Sequence, residues 1–140
     1  MKKIYLSWSE VDQMVSRLLS QIVSSGKKFD QVVGVANGGL YISNKIAQVL
    51  NIPHKIIKIS YYDGMNHRLY PIIEKIDYPI RNSLIVDDLI DNGHTCQTIK
   101  DHYGLETNDI AVLFWNTKSG IQPTYFVAEK PDAWIVFAWE

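Results

Sequence analysis

Three carboxylates and a small polar turn crowd into one short stretch of this chain: Asp87, Asp88 and Asp91, followed by Asn92, Gly93, His94 and Thr95. The run before the acids, Leu84 to Val86, is apolar, and the segment after the turn, Cys96 to Tyr103, is amphipathic. Charges are costly to bury unpaired, so an acid pair at the mouth of an apolar strand calls for a cation or for hydroxyl donors. The turn that follows can aim backbone N–H groups and a hydroxyl at an anion resting on a helix N-terminus. Carboxylates for sugar hydroxyls or a metal, beside a cradle for phosphate, predict a phosphorylated sugar as ligand. A plain strand, an acidic turn and an N-cap at Thr95 would account for an Asp-Asp pair alone. They do not account for the whole block.

Such a block works only if a sheet holds it, and the periodicities supply one. Ser7 or Ser9 can cap a helix to about Ser24, with Val11, Met14, Val15, Leu18, Leu19, Ile22 and Val23 at helical spacing. Gln31 to Ala36 reads as a buried strand, Asn37-Gly38-Gly39 as a turn, and Leu40 to Leu50 as a second helix that stops before Pro53. His54 to Tyr62 reads as a strand, residues 63–71 as a polar mobile loop, and Pro71 to Tyr78 as an edge strand or hairpin arm. Ala111 to Trp115 and Tyr125 to Ala128 are further short strands. Strands alternating with helices predict an α/β fold with a mostly parallel sheet flanked by helices on both faces. In such sheets ligands bind beyond the carboxyl ends of the strands, where the acid block stands.

Composition narrows the class. With 140 residues, 46% of them hydrophobic, the chain fits one domain over 1–140. A net charge of −1 argues against a broad nucleic-acid footprint. The single cysteine, Cys96, excludes an internal disulfide and favours the cytoplasm over a secreted location. No apolar stretch reaches membrane-spanning length, and the basic start Met1-Lys2-Lys3 lacks the apolar run of a signal peptide. His54, His67 and His102 show no metal-ligand spacing and read as ordinary surface or loop residues.

The 83–96 block resembles the 5-phosphoribosyl 1-pyrophosphate (PRPP) motif of the type I phosphoribosyltransferases. Three other segments resemble that family in its order: Val33 to Leu40 its first strand and pyrophosphate loop, Ile59 to Asp63 leading to Arg68 its flexible loop, and Asp132 to Glu140 the C-terminus of its xanthine-guanine branch. The resemblance implies a type I phosphoribosyltransferase-like fold and a transferase of purine salvage. Such an enzyme moves the 5-phosphoribosyl group from PRPP to a 6-oxopurine, with Mg²⁺ as cofactor and pyrophosphate released. It implies that Asp87 and Asp88 meet the ribose hydroxyls directly or through Mg²⁺, and that Asn92, Gly93, His94 and Thr95 cradle the 5′-phosphate. Asp91 matches the family's acid/base residue near the purine imidazole nitrogen, although an acid here would also complement the helix dipole. Trp134 matches the aromatic residue that stacks on the purine, with the Ile135 backbone at its edge. A tryptophan sealing the edge of the sheet is the alternative.

The chain departs from the family at several positions. Asn37 stands where the purine branch has Arg before the two glycines, removing a charge-assisted contact to pyrophosphate. Gly38 and Gly39 retain the close backbone approach, and Arg68 is the candidate for the remaining cation or else a solvated loop charge. Asn92 replaces the usual Thr but keeps a short polar side chain able to bond phosphate, and His94 replaces a small residue, where it either adds a donor to the 5′-phosphate or simply points to solvent. The family places a Lys after the Ala111–Trp115 strand to meet the 6-oxo oxygen; here the candidates are Asn116 and Lys118, and the spacing leaves both open. Two other readings remain: a phosphoribosyltransferase-like enzyme for a different base, and a non-catalytic sensor of PRPP or a nucleotide. Aromatic residues Tyr41, Tyr61 and Tyr62 favour a homodimer or homotetramer.

Overall fold

In the computed structural model, which describes residues 1–63, 69–104 and 108–140, helix α1 (Trp8–Ser24) starts at a reciprocal cap. The Glu10 N–H donates to Ser7 Oγ and the Ser7 N–H to Glu10 Oε1, both at 3.1 Å. Val11, Val15, Leu18 and Ile22 then form one buried stripe. Helix α2 (Leu40–Leu50) ends where Asn51 turns left-handed at φ 54°, two residues before Pro53.

Strands β2 (Gln31–Ala36), β3 (His54–Asp63), β4 (Leu69–Ile73), β5 (Ser83–Val86), β6 (Leu89–Ile90), β7 (Asp109–Trp115) and β8 (Tyr125–Glu129) make one sheet. Its order is β4-β3-β2-β5-β7-β6, with β8 also paired to β7. Every pairing is parallel except β3 with β4, where Ile59 faces Ile73 and Tyr61 faces Pro71. The central strands are buried on both faces, and their residues alternate between two cores. Val32, Leu84, Val86, Ala111 and Leu113 pack with α1 and α2. Val33, Val35, Ile85, Ile110 and Val112 pack on the other face with Cys96 and Ile99 of helix α3 (His94–Tyr103). Strand β1 (Lys3–Tyr5) lies outside this sheet and pairs in parallel with β9 (Trp134–Val136), Ile4 facing Ile135.

The expected α/β architecture holds, with three local corrections. The loop expected over 63–71 is shorter, because Asp63 and residues 69–71 are paired in the β3–β4 hairpin. Helix α3 starts at His94 rather than Cys96, and its N-cap is Gly93 at φ 82°, not Thr95. The β1–β9 pair was not expected, since neither strand is longer than three residues and neither alternates cleanly.

Candidate active site

Strands β5 and β6 run along the same edge of β7 and hold one register: Val86 faces Ala111 and Leu89 faces Phe114. Asp87 and Asp88 interrupt this line without adding a residue. The Asp87 N–H still reaches Ala111 O at 3.1 Å, and the Leu113 N–H reaches Asp88 O at 2.9 Å. The Asp88 N–H turns instead to Asp87 Oδ1 at 2.8 Å, and the Leu89 N–H to Asp88 Oδ1 at 2.7 Å. Both carboxylates are thus held by backbone donors at the distortion. Burial pushes the Asp87 carboxyl well above its ordinary range, and the neighbouring Asp88 charge pushes it further. Burial also raises Asp88, opposed by its hydrogen bonds with Asp87 and the Leu89 N–H. A pair that resists double ionisation gains most from a cation or hydroxyl donors. Among the described residues no group of three or more His, Cys, Asp or Glu converges on one point. Hard carboxylate oxygens in a pair suit Mg²⁺, which takes one or two carboxylates and fills its shell with waters and substrate oxygens.

The turn after β2 closes on this pair. A Cβ at Gly38 would collide with the Asp88 carboxylate, standing 2.8 Å from its Cγ. One at Gly39 would lie 2.5 Å from Val86 O and 2.9 Å from Asp87 Cα. Only glycines let residues 37–39 sit this close to the acids. The Ala36–Asn37 peptide is cis. Arg68 lies outside the described residues.

At the other end of the block, left-handed Gly93 swings the chain into α3. Asn92 Oδ1 accepts the His94 N–H at 2.9 Å, so this side chain shapes the turn. The N–H groups of Gly93, Thr95 and Cys96 find no acceptor among the described residues. Together with the helix dipole they could hold an anion, along a cleft of about 210 Å³ lined by residues 87–96. The His94 ring sits 6.5 Å from that of Tyr61. The Cys96 thiol behind the cradle is buried and pushed up to about 12, so it stays protonated and unreactive at neutral pH.

A second cleft, of about 170 Å³, shares Asp88, Leu89 and Asp91 with the first and adds Lys130, Trp134, Ile135 and Phe137. Trp134 is 54% exposed at its rim while Ile135 is buried beneath. At that exposure Trp134 is not a core residue. Strand β1 holds this wall in place: the Trp134 N–H donates to Lys2 O and the Leu6 N–H to Val136 O, both at 2.9 Å. Asn116 and Lys118 line a third cleft, of about 330 Å³, with Asp91 and Lys130. Asn116 Oδ1 accepts the Lys118 N–H at 3.1 Å, and the Lys118 side chain is exposed. Neither residue lines the Trp134 cleft.

A phosphoribosyl transferase domain matches residues 3–140. The chain belongs to the phosphoribosyltransferase family. A xanthine-guanine phosphoribosyltransferase from Chromohalobacter salexigens is 26% identical over 136 residues, covering 96% of this chain and 82% of the relative. The structure of a purine phosphoribosyltransferase from Pyrococcus horikoshii Ot3 matches at a TM-score of 0.88 and 31% identity, covering 100% of this chain and 95% of that one. A xanthine-guanine-hypoxanthine phosphoribosyltransferase from Helicobacter pylori matches at 0.80, covering 99% and 94%, and at 21% identity bears on the fold alone. Within this phosphoribosyltransferase the residue that sequence reasoning missed is Lys130. It is the one cation among the described residues that lines both the Trp134 and the Asn116 clefts. Its signal was its place in the short connection between β8 and β9, four residues before Trp134.

Proposed function

We propose that this phosphoribosyltransferase transfers the 5-phosphoribosyl group of PRPP to a 6-oxopurine (guanine, xanthine or hypoxanthine) and releases pyrophosphate, as a step of purine salvage. One observation carries the reading. Asp88 and Asp91 are common walls of an amide-lined anion cleft and an aromatic cleft. A ribose lying against these acids would have its 5′-phosphate on the α3 cradle and its anomeric carbon towards the Trp134 cleft. Asp87 and Asp88 would take the ribose hydroxyls and hold Mg²⁺, whose charge when bound would offset that of the departing pyrophosphate. The 37–39 turn takes the pyrophosphate along its backbone. Asp91 accepts the imidazole proton as the glycosidic bond forms. The relatives named as purine and xanthine-guanine phosphoribosyltransferases support the choice of base.

The assay is PRPP with guanine, xanthine, hypoxanthine, adenine and uracil, with and without Mg²⁺. The expected outcome is Mg²⁺-dependent nucleotide formation from at least one 6-oxopurine. Turnover confined to adenine or uracil means another base. Binding of PRPP with no nucleotide formed from any base means a sensor rather than an enzyme. The proposal extends to a cytoplasmic homodimer or homotetramer. Among the described residues no helix is long and apolar enough to cross a membrane. Ile56 and Ile72 are 49% and 47% exposed on the β3–β4 hairpin, and light scattering of the purified chain reads the assembly.

A further inference from the structure

We infer that Lys130, on the connection between β8 and β9, is the residue that reads the 6-oxo group of the purine; the inference rests on the 6-oxopurine reading above. An ammonium has three N–H donors and accepts nothing. Lys130 Nζ gives one to Ala133 O at 2.9 Å and a longer one to Pro131 O at 3.3 Å. Asp91 Oδ1 stands 3.8 Å away, beyond hydrogen-bond reach. The side chain is only 13% exposed, and its backbone N–H is tied to Trp115 O at 2.8 Å. One donor of a nearly buried, positionally fixed cation is therefore left without an acceptor among the described residues.

The geometry selects that acceptor. A 6-oxopurine presents O6 and N7 side by side on one edge. A donor at Lys130 beside an acceptor at Asp91 matches an oxo oxygen next to a protonated imidazole nitrogen. An adenine would turn an amino donor toward the ammonium, and that arrangement repels. Lys118 has no such placement. It is exposed, and it lines only the cleft that lacks Trp134. In this chain the oxo-reading cation therefore comes from the β8–β9 connection rather than from the segment after β7.

The test compares kcat/KM for hypoxanthine and adenine at saturating PRPP and Mg²⁺ in the wild type, Lys130→Met and Lys118→Met. Losing a charge-assisted hydrogen bond lowers the hypoxanthine-to-adenine ratio in Lys130→Met by ~10- to 10²-fold, while Lys118→Met keeps the wild-type ratio. If Lys130 only braces the 131–133 backbone, both bases fall together and the ratio stays put, which overturns the inference. A ratio moved by Lys118→Met instead also overturns it. Should Lys130→Met fail to fold, Lys130→Gln, which keeps an N–H for the Ala133 carbonyl, carries the same comparison. A wild type that uses no 6-oxopurine overturns the function and this inference with it. A wild type that prefers hypoxanthine, with an unmoved ratio in the variant, overturns the Lys130 assignment alone.

Discussion

Asp87 and Asp91 stand on either side of β6 yet are expected to answer substitution in opposite ways. The Asp91 side chain is 53% exposed, and its only ion pair among the described residues is the 3.8 Å approach of Lys130. A 3.8 Å approach to a half-exposed carboxylate contributes little to stability. Asp91→Ala should therefore melt within a degree or two of the parent while kcat falls by ~10²–10⁴-fold, the usual worth of a positioned general base. Near-normal kcat would reduce Asp91 to a helix-terminal acid. Asp87 is the reverse case, because burial and the Asp88 charge raise its carboxyl well above the ordinary value. A folded value above the unfolded one favours folding below the unfolded value, ~3.9, and that benefit is lost as pH rises through the folded value. At neutral pH, above the unfolded value, the raised Asp87 carboxyl thus costs the ligand-free protein stability whether it ionises or keeps its proton. Asp87→Asn, which keeps the acceptor for the Asp88 N–H, should melt higher than the parent at pH 7, with the gap closing towards pH 4. A variant melting lower than the parent at both pH values would refute the assignment of strain to this carboxyl.

At the scale of elements, the site depends on how close the β2–α2 turn comes to the end of β5. Gly38→Ala places a methyl against the Asp88 carboxylate. Asp88 is fixed by the Leu89 N–H, so it can yield only by giving up that bond. Overpacking of this kind costs ~1–3 kcal/mol. The larger effect is expected on function: calorimetry should find Mg²⁺–PRPP affinity reduced tenfold or more, and an unchanged affinity would show that the turn can retreat freely. The elements themselves were legible where periodicity was strong. Strand β2 and helix α2 fall on the residues expected, Gln31–Ala36 and Leu40–Leu50, because a mostly apolar run ahead of the Asn37-Gly38-Gly39 turn and an amphipathic stretch closed by left-handed Asn51 each admit one reading. Strands β1 and β9 were illegible because short strands carry no periodicity. What defines them is a pairing between residues at opposite ends of the chain. The same long separation hid Lys130, whose role comes from where the β8–β9 connection lands and not from any local motif.

For the whole molecule, the acid block was readable because all its parts lie within one strand–turn–helix unit, whereas the aromatic wall required the fold. The loops of β2, β5 and β7 and the strand β9 meet at one end of the sheet, and two of the three carboxylates serve both clefts. Binding there should therefore be felt by the entire fold. The acid pair is held apart from full ionisation in the ligand-free protein, so a complex of Mg²⁺ with PRPP bound there would relieve a cost that neither component would relieve as well alone. A ligand at a hundred times its Kd stabilises the native state by about 2.7 kcal/mol, which for a chain of this size corresponds to a rise in Tm of roughly 10 °C. Differential scanning fluorimetry is expected to give that shift with both present, a small one with PRPP alone, and almost none with Mg²⁺ alone, since the described residues offer it only a carboxylate pair. Adding EDTA to the ternary mixture should return the curve to the PRPP-only position. Asp88→Asn should abolish the Mg²⁺-dependent part while leaving the PRPP-only shift, because the anion cradle of α3 does not use that carboxylate. Equal shifts with and without Mg²⁺ in the parent would mean that the pair meets the ribose hydroxyls directly and that the cation has no site at Asp87 and Asp88.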